Sequence, residues 1–123
     1  MRTWTYIETQ EHGPFSLILD WTYEDSALSD CFDETIFDLE DMIDRCNRYV
    51  DTHYIARVRA FYDGVEMGAS ILGSCYARDC NPAEDMASGL GGYLEDMIDE
   101  ALTEARTRSK EMLNRLKKDF LET

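Results

Sequence analysis

Residues 30–50 read DCFDETIFDLEDMIDRCNRYV, a stretch in which apolar and acidic residues recur with the period of a helix. The apolar positions follow alternating steps of four and three, and they are Phe32, Ile36, Leu39, Ile43, Cys46 and Val50. This spacing puts all six on one stripe and predicts a single helix over 30–50 that packs on a core. Ser29 and Asp30 are both suitable residues to cap its start.

The opposite side of this predicted helix is acidic. It carries Asp33, Glu34, Asp38, Glu40, Asp41 and Asp44. Phe37 projects from the middle of the acids, so either a neighbouring segment covers the ring or the ring anchors a binding partner. We name these six acids together with Phe37 the acidic surface and treat it as the candidate partner-binding site.

A β-hairpin is predicted before the acidic helix. Residues 3–9 have the Trp, Thr, Tyr and Ile composition of a strand, and residues 15–23 alternate between apolar and polar side chains. The intervening residues 10–14 contain Gly13 and Pro14, which are typical of a turn. The first two dozen residues therefore form two paired strands.

A second hairpin is predicted after the acidic helix. A strand over 53–62 is followed by Asp63-Gly64, a dipeptide typical of tight hairpin turns, and by a return strand that begins at Val65. Arg57 and Arg59 are the only clustered bases before residue 105. We expect them to pair across strands with acids such as Asp20 or Glu66.

Residues 93–121 are predicted to form one long helix after an irregular, glycine-rich segment. About 29 helical residues would span roughly 43 Å, whereas a typical strand spans ~17–20 Å. The end of the helix therefore overhangs the sheet, bends back, or packs on a second chain. The apolar residues that make it a candidate homodimer contact are Met112, Leu113, Leu116 and Phe120.

The predicted elements run strand, strand, helix, strand, strand, helix. This order indicates an α+β fold, ββαββα, with a four-stranded, mainly antiparallel sheet and the two helices on one face. The length of 123 residues suits a single domain over 1–123, in which the C-terminal helix overhangs.

The formal net charge of −14 is unevenly distributed. Residues 1–105 hold 23 acids and 6 bases, a net charge of −17, whereas residues 106–123 hold 3 acids and 6 bases, a net charge of +3. Such a body repels nucleic acid and anionic membranes and attracts basic surfaces, or else its charge only maintains solubility. With no apolar run near the ~20 residues of a membrane span and no signal-peptide pattern, we expect a cytoplasmic protein.

The sequence does not assemble an active site. His12 and His53 lie in no nucleophile or metal motif, and no cofactor motif is present, so we expect neither catalysis nor a cofactor. Cys75 and Cys80 enclose four residues, a loose spacing for zinc that would need further ligands such as His53 or Cys31. Because 26 acids are present, an Asp/Glu metal site is the enzyme alternative.

Two segments, HYIARVRAFYDGVEMGASILGSCY (53–76) and GGYLEDMIDEA (91–101), resemble small acidic proteins encoded by bacterial phages and plasmids. The resemblance implies a context and transfers no catalytic residues. Short acidic proteins of mobile elements often block host defence, and they include anti-CRISPR and anti-restriction proteins, some of which imitate DNA.

Composition and resemblance together give a first hypothesis. The chain would be a non-enzymatic inhibitor whose acidic surface occupies the basic nucleic-acid-binding channel of a host defence complex. Its partner would be a basic host protein or complex, not nucleic acid itself and not a membrane. The competing hypothesis is a structural or regulatory oligomerisation module whose acidity is incidental.

Overall fold

Four antiparallel strands form one sheet in the computed structural model, which describes residues 2–122. The strands lie side by side in chain order, and they are β1 (Thr5–His12), β2 (Phe15–Tyr23), β3 (Thr52–Tyr62) and β4 (Val65–Ala77). Asp63 and Gly64 have φ values of 47° and 78°, as a tight hairpin turn of this kind requires. The predicted α+β class, both hairpins and the antiparallel sheet are therefore confirmed.

Four α-helices accompany the sheet among residues 2–122: α1 (Leu28–Cys31), α2 (Leu39–Asn47), α3 (Pro82–Ala87) and α4 (Tyr93–Leu116). A short 3₁₀ turn, Leu90–Gly92, precedes α4, and a π-helical turn, Lys117–Leu121, continues it. The predicted long helix over 93–121 is thus confirmed. The predicted order ββαββα is not matched, because two short helices separate β2 from β3 and α3 comes before α4.

The predicted single helix over 30–50 is wrong, because the chain leaves the helical conformation between α1 and α2. Asp33 accepts hydrogen bonds from the backbone N–H (2.9 Å) and the hydroxyl (2.8 Å) of Thr35. Asp38 accepts from the N–H of Asp41 at 3.2 Å and so becomes the N-cap of α2. Short acidic side chains compete in this way with helical hydrogen bonding and begin helices instead.

The predicted cap and the predicted core stripe are also wrong. Neither Ser29 nor Asp30 caps a helix, since α1 begins after Ala27 without a side-chain cap. The buried residue of α2 is Met42, which the stripe excluded. The stripe residues that are exposed instead are Ile36, Ile43 and Val50. Of the stripe residues on α2, Cys46 does contact the sheet, since its sulfur lies 3.9 Å from the hydroxyl of Tyr76.

The core lies between the sheet and α4. Met97, Ala101, Leu102 and Ala105 of α4 are buried against core residues of the strands. The closest approach is at Gly68 of β4, where an added Cβ would lie 2.2 Å from the carbonyl oxygen of Ala101. The absence of a side chain at Gly68 is what allows α4 to pack directly on β4.

The α1–α2 segment contacts the sheet through Phe32. Its ring lies edge-on to Tyr76 at 6.0 Å and tilted against His53 at 5.8 Å, measured between ring centroids. His53 and Tyr76 alternate along their strands with the core residues Tyr54 and Cys75, so they point to the other side of the sheet. The predicted placement of both helices on one face is therefore not confirmed.

The two clustered arginines of β3 pair as the sequence predicted. Arg57 donates two hydrogen bonds to the buried carboxylate of Asp20, at 2.8 and 2.6 Å. Arg59 donates to the same carboxylate at 3.1 Å and lies 3.6 Å from Glu66. The Arg57 guanidinium also lies 3.7 Å from the centre of the Trp4 ring. These cations stabilise the sheet and leave little free positive charge on it.

Candidate functional site

The acidic surface lies in the connection between β2 and β3. Asp33, Glu34 and Phe37 are in the turn between α1 and α2, and Asp38 caps α2. The remaining members are on α2 itself: Glu40, Asp41 and Asp44. All seven residues are exposed. The structure therefore places the predicted site in one continuous segment, although the residues do not share one helix face.

The charge of this surface is largely uncompensated by nearby bases. Among the described residues, Asp44 is the one of its six acids within 4 Å of a basic group, and its 3.5 Å contact with Arg48 is exposed on both sides. Exposed pairs of this kind are weak. The hydrogen bonds from Thr35 hold the pKa of Asp33 below its ordinary value. The surface is therefore negative at neutral pH.

Phe37 is partly covered. Its side chain is 42% exposed, and its ring packs edge-on against Phe32 with 5.1 Å between the ring centroids. Phe32 in turn contacts the sheet, so Phe37 is held at a fixed place within the acidic surface. A rigid, half-exposed aromatic ring loses little entropy when a partner covers it. Its role as a binding anchor stays a prediction.

Exposed apolar side chains lie in the same segment as the acids, and sequence reasoning missed them. Ile36 is 75% exposed and Ile43 is 46% exposed. Tyr49 and Val50 follow α2 and are exposed as well. The stripe pattern had assigned Ile36, Ile43 and Val50 to the core, so no sequence signal marked them as surface. A mixture of carboxylates and large apolar groups is more typical of a protein-binding surface than of a surface that only maintains solubility.

A buried ion-pair network fixes α2 to the sheet. Arg45 of α2 donates to Asp51 at 2.7 and 3.1 Å, and Asp51 also accepts from the hydroxyl of Tyr76 and from the N–H of Asp79 at 2.9 Å. Burial raises the pKa of Asp51, but the hydrogen bonds outweigh that effect and lower the pKa to about 2. The Asp51 carboxylate is therefore ionised, and it holds α2 in place.

The bases of the body are mostly engaged with acids. Those that pair within 4 Å are Arg2, Arg45, Arg48, Arg57 and Arg59. Most of their partners lie outside the acidic surface, and Asp20 and Asp51 are buried. The pairing therefore neutralises acids of the scaffold while the acidic surface keeps its charge.

The candidate dimer contact lies where α4 leaves the core. The four predicted residues are about half or more exposed: Met112 49%, Leu113 52%, Leu116 47% and Phe120 74%. Met112, Leu113 and Leu116 line one side of a groove of about 540 Å³, whose other side is formed by the ends of both hairpins, including Phe15 and Tyr62. The structure brings three of the four residues to this groove, and Phe120 lies outside it.

Cys75 and Cys80 are not part of a metal-binding cluster among the described residues, whereas His53 and Cys31, the further ligands suggested for them, are. Burial raises the pKa of Cys75 to about 11. Within residues 2–122, the one group of three or more metal-binding side chains whose donor atoms lie close together is Glu24, Cys31 and His53. The Asp/Glu cluster of the enzyme alternative is not found in that part of the chain.

Comparisons with protein-family models, with curated proteins and with solved structures found no match to this chain. No helix within residues 2–122 is long and apolar enough to cross a membrane. The surfaces described above are therefore the features of this chain that point to a function.

Proposed function

We propose that the chain is a non-enzymatic inhibitor of a host defence complex that targets nucleic acid, of the anti-CRISPR or anti-restriction kind. The acidic surface occupies the basic channel in which the complex binds nucleic acid. The protein acts in the cytoplasm of the host cell, without a catalytic cofactor. Its partner is a basic protein or protein complex, not nucleic acid and not a membrane.

One observation carries this proposal: six carboxylates and a half-exposed aromatic ring are presented together on the β2–β3 connection. Carboxylates on a fixed backbone can replace phosphates as the anions that the lysines and arginines of a channel bind. Phe37, Ile36 and Ile43 supply apolar contact area that a DNA backbone does not offer. Such contacts favour a protein inhibitor over loosely bound nucleic acid.

The charge distribution also indicates how such binding would proceed. A body with a net charge of −17 accelerates encounter with a basic channel, and the acceleration falls as salt screens the charges. The network around Asp51 keeps α2 in place before binding, so little ordering is required on association.

Affinity capture followed by competition tests the proposal. The intact chain is used as bait in extract from a host that carries nucleic-acid-targeting defence systems, at low and at high salt. We expect a nucleic-acid-binding protein to be enriched at low salt and released at high salt. The captured protein is then purified and titrated with labelled oligonucleotide in the presence of the chain. If nothing of this class is captured, or if chain and oligonucleotide bind together, the proposal is wrong.

A second candidate function is an oligomerisation module, and the exposed apolar end of α4 favours it. In that case the groove beside Leu113 is the functional surface and the acids are incidental. The two functions differ in what they require: an oligomerisation module self-associates without a host protein, and reversing charges on the acidic surface leaves its association unchanged.

A further inference from the structure

Three side chains with different donor atoms meet at the base of the β2–β3 connection. Glu24 directly follows β2, Cys31 is the last residue of α1, and His53 is the second residue of β3. One carboxylate oxygen, the sulfur and one ring nitrogen all lie within 4.8 Å of one another. Cys31 is a free thiol. The three residues come from three separate elements, so the fold, not a local sequence motif, creates the cluster.

Two further observations set this cluster apart from a chance contact. Nε2 of His53 is buried and has no hydrogen-bond partner among the described residues, although buried polar atoms are usually paired. The carboxylate of Glu24 is held in place, since one oxygen accepts from the backbone N–H of Ser74 at 2.8 Å and the other from the N–H of Asp25 at 3.1 Å. The cluster thus contains a fixed anionic ligand and a histidine with an unmet bonding capacity.

We propose that Glu24, Cys31 and His53 bind a divalent transition metal, with zinc as the ion that fits best. Thiolate, imidazole and carboxylate are the three donor types that zinc takes in proteins, and thiolate excludes magnesium and calcium. Tetrahedral bonds of ~2.0–2.3 Å would place the donors roughly 3.3–3.8 Å apart. Side-chain movements of about 1 Å therefore complete the geometry, with the fourth position open to water or to a ligand from a partner.

The position of the cluster indicates what the metal would do. It would join the end of β2, the end of α1 and the start of β3, and so close the β2–β3 connection at its base. Cys31 directly precedes Phe32, whose ring contacts His53. Bound metal would therefore hold the turn that carries Asp33 and Glu34. The metal site does not depend on the proposed inhibitor function. If one proposal is wrong, the other still stands.

Cobalt titration tests the site directly. The full chain is treated with chelator, kept reduced with a phosphine, and titrated with Co²⁺ as a spectroscopic substitute for zinc. We expect one equivalent to give a thiolate-to-cobalt charge-transfer band that zinc then abolishes. Cys31→Ala and His53→Ala should weaken binding at least about tenfold, because loss of a residue that merely supports a ligand typically costs 10–100-fold. Cys80→Ala and His12→Ala are the matched controls and should titrate like the unchanged chain.

A measurement on the unchanged chain covers the case in which a variant does not fold. Zinc at one equivalent should protect Cys31 from alkylation, as mapped by mass spectrometry, and leave Cys46 and Cys80 at their metal-free rates. It should also raise the melting temperature. Absence of the charge-transfer band, an unprotected Cys31, or protection of Cys80 in its place would each overturn the assignment.

Discussion

Arg45 of α2 forms a bidentate ion pair with Asp51, the residue before β3, and Asp51 is only 2% exposed. The pair spans six positions of sequence and connects the helix of the acidic surface to the sheet. Tyr76 and the backbone of Asp79 fill the remaining acceptor positions of the carboxylate. A charge this deeply buried is stable only while all its partners are present.

Replacing Asp51 with Asn should therefore lower the free energy of unfolding by about 2–3 kcal/mol at pH 7. The pKa of Asp51 is about 2 in the folded protein, below the ordinary value of 3.8. A lowered pKa gives stability that is present above the unfolded value and is lost as pH falls from about 4 to about 2. Urea unfolding of both proteins across this range should show their difference shrinking toward pH 2.

Asp44→Asn is the matched control, because its pair with Arg48 is exposed. This variant should change stability by less than about 0.5 kcal/mol at pH 7. A difference between Asp51→Asn and the unchanged chain that persists at full size at pH 2 would show that packing, not charge, is lost.

Reversing charge on the acidic surface should slow binding of the target. The appropriate variant is Glu34→Lys, Glu40→Lys and Asp44→Lys, because Asp38 caps α2 and its replacement would cost about 0.5–2 kcal/mol. We expect the association rate with the captured protein to fall at least about tenfold, since electrostatic steering contributes about 10–10³-fold. Stopped-flow or surface-based kinetics at low salt measures this rate.

A second triple reversal, Glu95→Lys, Asp96→Lys and Asp99→Lys, changes the net charge by the same amount. These three exposed acids lie at the start of α4. The rate should change much less than in the first variant if the acidic surface is the contact. Equal slowing by both variants would indicate that net charge alone steers association and that the contact lies elsewhere.

The end of α4 should form a homodimer contact through the groove beside Leu113. Leu113→Glu places a charge in the apolar groove and should convert the dimer to monomer at micromolar concentration. Asn114→Glu introduces the same side chain one position along, at a residue that does not line the groove, and should remain dimeric. Light scattering gives the mass of each. A monomeric mass for the unchanged chain at micromolar concentration would exclude the dimer.

Gly68→Ala should destabilise the protein by at least about 2 kcal/mol. The added methyl would lie 2.2 Å from the backbone oxygen of Ala101 and 2.8 Å from the backbone nitrogen of Ala105. Helix backbone cannot move aside locally, so α4 as a whole must shift from β4. Gly73→Ala is the control, since its methyl meets only a side-chain oxygen of Glu24 at 3.1 Å. A lower melting temperature for Gly73→Ala than for Gly68→Ala would contradict this role of Gly68.

Local signals in the sequence predicted most of the scaffold. Alternating strands and the Asp63-Gly64 turn define the hairpins, and the charge order from acidic to basic along 93–121 marks the long helix. The prediction of one helix over 30–50 was wrong because the apolar period does not account for Asp33 and Asp38, whose side chains compete for backbone hydrogen bonds. The sequence suggested His53 and Cys31 as zinc ligands, but it paired them with Cys75 and Cys80 and missed Glu24, because the pairing of β2 with β3 and the position of α1 bring Glu24, Cys31 and His53 together.

The strand order of the sheet has a consequence for how this chain can vary. Every strand pairs with its neighbour in sequence, and only the β2–β3 pair is separated by a long connection, residues 24–51. The entropy of closing such a loop grows slowly, by about 0.6 kcal/mol for each doubling of length. The entropy of loop closure therefore sets little limit on the length of the exposed turns in this segment, whereas Phe32, Met42, Arg45 and Asp51 must be kept because they pack on or pair with the rest of the fold. The sheet and the contacts of the connection with it are therefore the fixed part of the fold, and the length of the exposed turns is the part that can vary.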